Sequence, residues 1–208
     1  MIIDLHTHEY LYSACSRMSV EEAVAAAQRY GLDGICITDH NSANIQFAEC
    51  LQTINFPVFV GVEQYTRQGD MIAFGLDLGC LPMGRPTAQE FVDFIVARDG
   101  FCFAAHPFRT IGGGLGAHLY AVINYSGIEI YNGSNTDAEN HEALIACRAL
   151  GKIPVAGSDA HFADEVGSFA TYFPEPIATI QELVAALKAG KGRPVIRKDD
   201  GYHFLPVA

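Results

Sequence analysis

Short β-type apolar runs recur along this 208-residue chain, most breaking off at a histidine or an acid, and they alternate with helical stretches. MIIDL (1–5) leads into His6 and His8, GICIT (34–38) into Asp39 and His40, and PVFVGV (57–62) into Glu63. FCFAA (101–105) leads into His106, GIEIYN (127–132) ends on Asn132, and PVAGS (154–158) leads into Asp159 and His161. MIAFGLDL (71–78) adds a further strand; helical patterns occupy 19–31, 43–53, 87–100, 136–151 and a last stretch near 179–189. Ser19 with Glu22 and Thr87 with Glu90 have the spacing of capping boxes, and Gly31 and Gly100 stand where helices stop. Strand, helix, strand at this repeat argues for a parallel α/β architecture. The carboxyl ends of such strands share one face, where binding loops gather. Residues distant along the chain therefore converge there.

Half of the residues are hydrophobic and 18% are charged, so the chain is expected to fold as one globular domain over 1–208. No apolar run approaches the roughly 18 residues that span a bilayer, which excludes a transmembrane helix. Six cysteines (15, 36, 50, 80, 102 and 147) form no CxxC pair, and MIIDLHTH is not a secretory leader. The expectation is a reduced, cytoplasmic protein in which Cys36, Cys50, Cys102 and Cys147 are small core residues. The net charge of −11 disfavours a broad duplex-binding face, because phosphate contacts need clustered Lys and Arg.

Five of the eight histidines (6, 8, 40, 106 and 161) follow apolar runs and keep company with acids. Imidazole and carboxylate together suit Zn²⁺, Mn²⁺ or Fe²⁺ better than Mg²⁺ or Ca²⁺. His6 and His8, two apart on an extended segment, point the same way and can chelate one ion. His118, His141 and His203 lack this setting and read as solvated or structural. TIGGGLG (110–116) lacks the Lys-Ser/Thr of a phosphate-binding P-loop and reads as a mobile loop over the site.

DLHTH (4–8), ITDHN (37–41), GVE (61–63), AHPFR (105–109), IEIYNG (128–133) and GSDAH (157–161) resemble the motifs of the PHP (polymerase and histidinol phosphatase) family, in family order. The resemblance implies an α/β fold, a distorted parallel (β/α)7-type barrel, carrying two or three divalent transition-metal ions (Mn²⁺, Zn²⁺ or Fe²⁺). It also implies phosphate-ester hydrolysis by a metal-activated hydroxide. Carried over by position, His6, His8, Glu63 and Asp159 hold a first ion, Glu63 and His106 a second, and His40 and His161 a third. The chain departs from the family twice. Cys15 stands about where many relatives have an Asp or His ligand, and is either a ligand or a packed thiol. Asp70 stands where several have a histidine, and could supply an oxygen instead.

Arg109 has the fork suited to a phosphate, Asn132 could donate to a substrate oxygen, and His161 could protonate the leaving alkoxide. Asp4 and Asp39 are either acceptors that orient imidazoles or turn residues. A small phosphorylated substrate or a terminal nucleotide is the expected partner. The alternatives are an exonuclease-like phosphodiesterase and a non-catalytic metal-binding module of a larger complex; the latter fits less well because the histidines are retained. An amidohydrolase-type reading needs a metal-bridging Lys at a strand end, and Lys152 precedes its strand.

Overall fold

The computed structural model describes residues 1–75, 81–82 and 84–207. Ten strands form one sheet: β1 (Ile2–Thr7), β2 (Gly34–Ile37), β3 (Val58–Tyr65), β4 (Asp70–Phe74), β5 (Phe101–Ala104), β6 (Gly127–Asn132), β7 (Ile153–Gly157), β8 (Phe169–Tyr172), β9 (Arg193–Lys198) and β10 (Gly201–Phe204). Their order is β10-β9-β8-β1-β2-β3-β4-β5-β6-β7. The helices are α1 (Val20–Arg29), α2 (Glu49–Thr53), α3 (Ala88–Val96), α4 (Asp137–Leu150) and α5 (Ile180–Lys188).

The sheet is mixed, which corrects the parallel expectation and leaves a count of seven βα units without support. β1-β2-β3 and β5-β6-β7 run parallel. β4 enters antiparallel to both neighbours because a tight turn at 66–69, with no helix, returns it from β3. β8, β9 and β10 extend the other edge, antiparallel throughout. The helical reading of 43–53 resolves into a 3₁₀ turn at Asn44–Phe47 and the short α2, which buries nothing, so Cys50 is half-buried and no core residue. Cys36, Cys102 and Cys147 are buried thiols, and Cys80 lies outside the described residues.

Helix starts follow the expected chemistry. Ser19 and Glu22 form a reciprocal capping box on α1, as Thr87 and Glu90 do on α3, so two otherwise orphaned N–H groups are satisfied at each end. Gly31, at φ +77°, ends the first of these helices. Three apolar clusters hold the layers together. One packs α3 and α4 on the sheet around Phe91, Ile128 and Leu144, a second packs α5 beneath Leu5, Phe74 and Phe103, and a third seats α1 on Ile35 and Ile37.

The sheet curls until the segment after β7 meets β1. His8 N–H donates to the Ala160 carbonyl (3.0 Å) and Asp159 N–H to the His6 carbonyl (2.8 Å), closing the seam where the strand ends gather. Strand pairing is irregular between Asp4 and Thr7 of β1 and between Glu129 and Tyr131 of β6. Such irregularities re-aim side chains, and here they flank His6 and Asn132.

Candidate metal centre

Five strand ends deliver their side chains to one buried point. His6 Nε2 and His8 Nε2 are 3.0 Å apart, and each lies 3.2 Å from Asp159 Oδ1. Glu63 Oε2 is 3.3 Å from His8 Nε2 and 3.6 Å from His6 Nε2, while Glu63 Oε1 is 2.8 Å from His106 Nε2. His40 Nδ1 lies 2.8 Å from Glu63 Oε2, and the His8, His40 and His161 donor atoms form a further group toward solvent.

These atoms fit a cation and fit each other badly without one. Glu129 Oε1 faces His6 Nδ1 at 3.0 Å, and a carboxylate only accepts, so the Nδ1 proton points to it. Ser13 Oγ donates to Asp39 Oδ1 (2.7 Å) and accepts from His8 Nδ1 (3.3 Å), which places the second ring's proton on the outer nitrogen too. With their Nδ1 protons outward, both rings turn Nε2 onto each other and onto two carboxylates, so at most one proton can lie between the two nitrogens. Glu63 Oε2 and His40 Nδ1 are buried against each other at 2.8 Å outside hydrogen-bond geometry, and neither has another hydrogen-bond partner, an arrangement that ordinarily needs a reason. Donors about 2.1 Å from one ion stand about 3.0 Å apart at right angles and about 3.4 Å apart at tetrahedral angles. The four separations of 3.0–3.3 Å among His6, His8, Asp159 and Glu63 lie in that range, and His6 to Glu63, at 3.6 Å, lies just beyond it.

The same crowding displaces the acid–base behaviour. Burial depresses His6, yet Asp159, Glu129 and Glu63 raise it well above the ordinary imidazole range. Burial lowers His8 to about 4. Burial opposes ionisation of Glu63 and Asp159, but the imidazoles, His6 foremost, hold both well below the usual carboxylate range. Burial, with Glu63 nearby, pushes Asp70 up to about 7.

Several expected roles change in the folded chain. Asp4 bonds no imidazole; it accepts from the backbone N–H groups of His6, Ser158 and Gly167 and so staples the seam. Asp39 acts on His8 only through Ser13, and burial raises it to about 8. Asn132 is fully buried, with Nδ2 donating to Glu129 Oε2 (2.9 Å) and Oδ1 accepting from Arg109 Nη2 (2.8 Å), so its side chain is engaged by the scaffold. Arg109 Nη2 also pairs with Asp159, and Arg109 Nε with Asn135. The glycine-rich loop is pinned: Gly113 accepts from Asp70 N–H (2.7 Å), and a Cβ there would meet the Asp70 carboxylate and the His106 ring. Close approach, more than mobility, explains those glycines.

A cleft of about 480 Å³ opens over the cluster, reached by Arg85, Arg109, Tyr65, Asp70 and Cys15. Cys15 Sγ is 3.2 Å from His161 Nε2 at the rim, and burial raises its thiol. Asp70 faces the cleft but joins none of the tight donor groups among the described residues. Tyr65, whose ring lies tilted against His40 (4.5 Å between ring centres), Arg85, Ser13 and Glu129 went unsingled in the sequence. Of these Glu129 alone carried a signal, an acid between two isoleucines in an apolar run. His118, His141 and His203 are exposed and outside the cluster. Lys152 is likewise elsewhere, its Nζ on the Tyr125 carbonyl.

Residues 4–152 match the family model for the PHP domain, and residues 137–191 match one described as PHP-associated. The chain belongs to the PHP domain family. No curated protein matches this PHP chain. A two-domain protein from Bacteroides vulgatus, containing a predicted PHP-like metal-dependent phosphoesterase, is similar to it with a TM-score of 0.70 and 19% identity, over 95% of this chain and 65% of that one. Endonuclease Q, in complex with a 27-mer duplex bearing an abasic lesion at the active site, is similar at 0.68 and 18%, over 91% and 57%. An amidohydrolase from Chromobacterium violaceum, with sulfate bound and no metal, is similar at 0.64 and 16%, over 95% and 99%. At these identities the likeness is one of fold. The chain spans about two thirds of the Bacteroides protein and just over half of endonuclease Q.

The endonuclease Q complex overturns the expectation that a net charge of −11 disfavours a duplex. Net charge sums the whole surface, whereas a nucleic acid meets the local field at the mouth of a site. Among the described residues no helix is long and apolar enough to cross a membrane.

Proposed function

We propose that this PHP chain is a metal-dependent phosphoester hydrolase acting on an ester carried by a small molecule or a terminal nucleotide. The observation that supports it most is the buried meeting of His6 and His8 Nε2, 3.0 Å apart, with Asp159 Oδ1 and Glu63 Oε2, each 3.2–3.6 Å from both rings. His6, His8, Glu63 and Asp159 would hold one cation, Glu63 and His106 a second, and His40 and His161 a third. Two or three such ions, Mn²⁺, Zn²⁺ or Fe²⁺, supply a nucleophile at neutral pH and positive charge for phosphoryl oxygens.

The protein's own groups do the rest. Arg109, anchored by Asp159, Asn132 and Asn135, is fixed at the cleft wall, where a planar guanidinium suits a phosphate. His161 Nδ1 donates to the Asp159 carbonyl (2.9 Å), which turns Nε2 toward the cleft mouth. Where no third cation takes that nitrogen, an imidazolium form of the ring would be placed to give an Nε2 proton to the departing oxygen. Asp159 orients both sides, its carboxylate on the rings and Arg109 and its carbonyl on His161.

The test is turnover of p-nitrophenyl phosphate, bis(p-nitrophenyl) phosphate and a 5′-phosphorylated duplex oligonucleotide by protein loaded separately with Mn²⁺, Zn²⁺ and Fe²⁺. Hydrolysis of at least one ester is expected, with Asp159→Ala abolishing it. No turnover of any ester with any metal, or undiminished turnover in Asp159→Ala, overturns the reading.

A further inference from the structure

Glu129 is fully buried on β6 and takes no part in the donor groups. A buried carboxylate is costly unless its oxygens are occupied, and here they are occupied by three elements of the centre. Oε1 faces His6 Nδ1 on β1 at 3.0 Å. Oε2 accepts the backbone N–H of His106 (2.8 Å) and Nδ2 of Asn132 (2.9 Å). His106 has φ +28°, a left-handed conformation that a non-glycine residue adopts at a cost and that needs holding. Through Asn132 and Arg109 the network continues to Asp159. No atom of Glu129 lines the cleft.

We propose that Glu129 is the positioning residue of the centre: by accepting from Nδ1 it dictates which nitrogen of His6 is bare, and by accepting from the backbone it seats His106. The assignment rests on the reading of His6 and His106 as cation ligands. Its two oxygens are not equivalent, and that makes a sharp test possible. Oε2 has two N–H donors and Oε1 has one ring nitrogen that can be either donor or acceptor. In Glu129→Gln the amide oxygen stays on the His106 and Asn132 donors, because an NH₂ group there would face two further donors. The amide NH₂ then points at His6 Nδ1, which can receive it only by giving up its proton. The remaining proton sits on Nε2, aimed at His8 and Asp159, where a cation would otherwise be held. One isosteric change thus moves a proton across the ring with no change in volume or burial.

Two measurements check this. In zinc-loaded wild-type protein, ¹⁵N-edited NMR should find His6 Nδ1 carrying its proton; a bare Nδ1 overturns the proposal whatever any variant does. In Glu129→Gln zinc affinity by calorimetry should fall about 10–100-fold, the usual effect of losing a ligand's outer partner, while the fold is retained by circular dichroism. Wild-type zinc affinity in a folded Glu129→Gln also overturns it. Neither readout uses turnover, so a protein that binds zinc and hydrolyses nothing would retire the proposed function and leave the assignment of Glu129 standing.

Discussion

Cation binding should stabilise this fold by an amount that can be set in advance. The perturbation is metal removal with a chelator, followed by replacement with Mn²⁺ or Zn²⁺, in wild type and in Asp159→Asn. His6, His8, Glu63 and Asp159 are all at most 2% exposed, so an ion among them binds the folded chain and finds no such site in the unfolded one. At about 100 times its dissociation constant, a ligand of the native state adds about 2.7 kcal/mol. For a chain of this size each kcal/mol moves Tm by about 2–4 °C, so the increment is about 5–11 °C. Asp159→Asn preserves shape but removes the charge 3.2 Å from both ring nitrogens. If that lowers affinity about 100-fold, the same ion concentration leaves about 0.4 kcal/mol, a shift of about 1–2 °C. The assay is differential scanning calorimetry, each variant compared with its own chelated form. A wild type that no transition metal stabilises, or a variant stabilised equally, would refute the reasoning.

Two further outcomes follow from packing. In Gly157→Ala the new Cβ would stand 2.5 Å from His6 Cβ and 3.1 Å from Glu129 Oε1, so overpacking should cost about 1–3 kcal/mol in urea unfolding and weaken metal binding. Gly151→Ala, with nothing within 4 Å and φ +61°, is the control that should lose about 1 kcal/mol for backbone strain and keep its metal. Phe91→Ala, buried under α3 and away from the cleft, should lose about 3–5 kcal/mol in the same unfolding assay with its metal-induced shift intact.

The strand ends were legible because each carries its own marker, and an apolar run stopping at a histidine or acid needs no partner to be recognised. The capping boxes of α1 and α3 were equally local. Strand direction was not local: Asp70–Phe74 has the same apolar character whether it runs with or against its neighbours, and only the turn at 66–69 decides. β8 to β10 escaped notice because Phe169–Tyr172 is four residues long, Pro194 and the flanking charges mask Arg193–Lys198, and Gly201–Phe204 is largely exposed. At the centre, side chains that point at the cluster were found, and those behind it were not. That Asn132 ends its strand at the site is visible in the sequence; its bonds to Glu129 and Arg109 depend on three-dimensional neighbours no spacing reveals. Glu129 was visible as an acid between Ile128 and Ile130, but its partners lie on β1 and after β5.

The seam between β1 and the segment after β7 joins nearly the first residues of the chain to ones some three quarters of the way along it. A ribosome that has released only the first 150 residues has already made His6, His8, His40, Glu63 and His106, yet those groups still lack the backbone that brackets them. Long-range closures of this kind are slow steps in folding. Ion capture should therefore report the last stage of maturation and not the first, so a nascent or truncated chain ending before Asp159 would carry most of the ligands and acquire no tightly held metal.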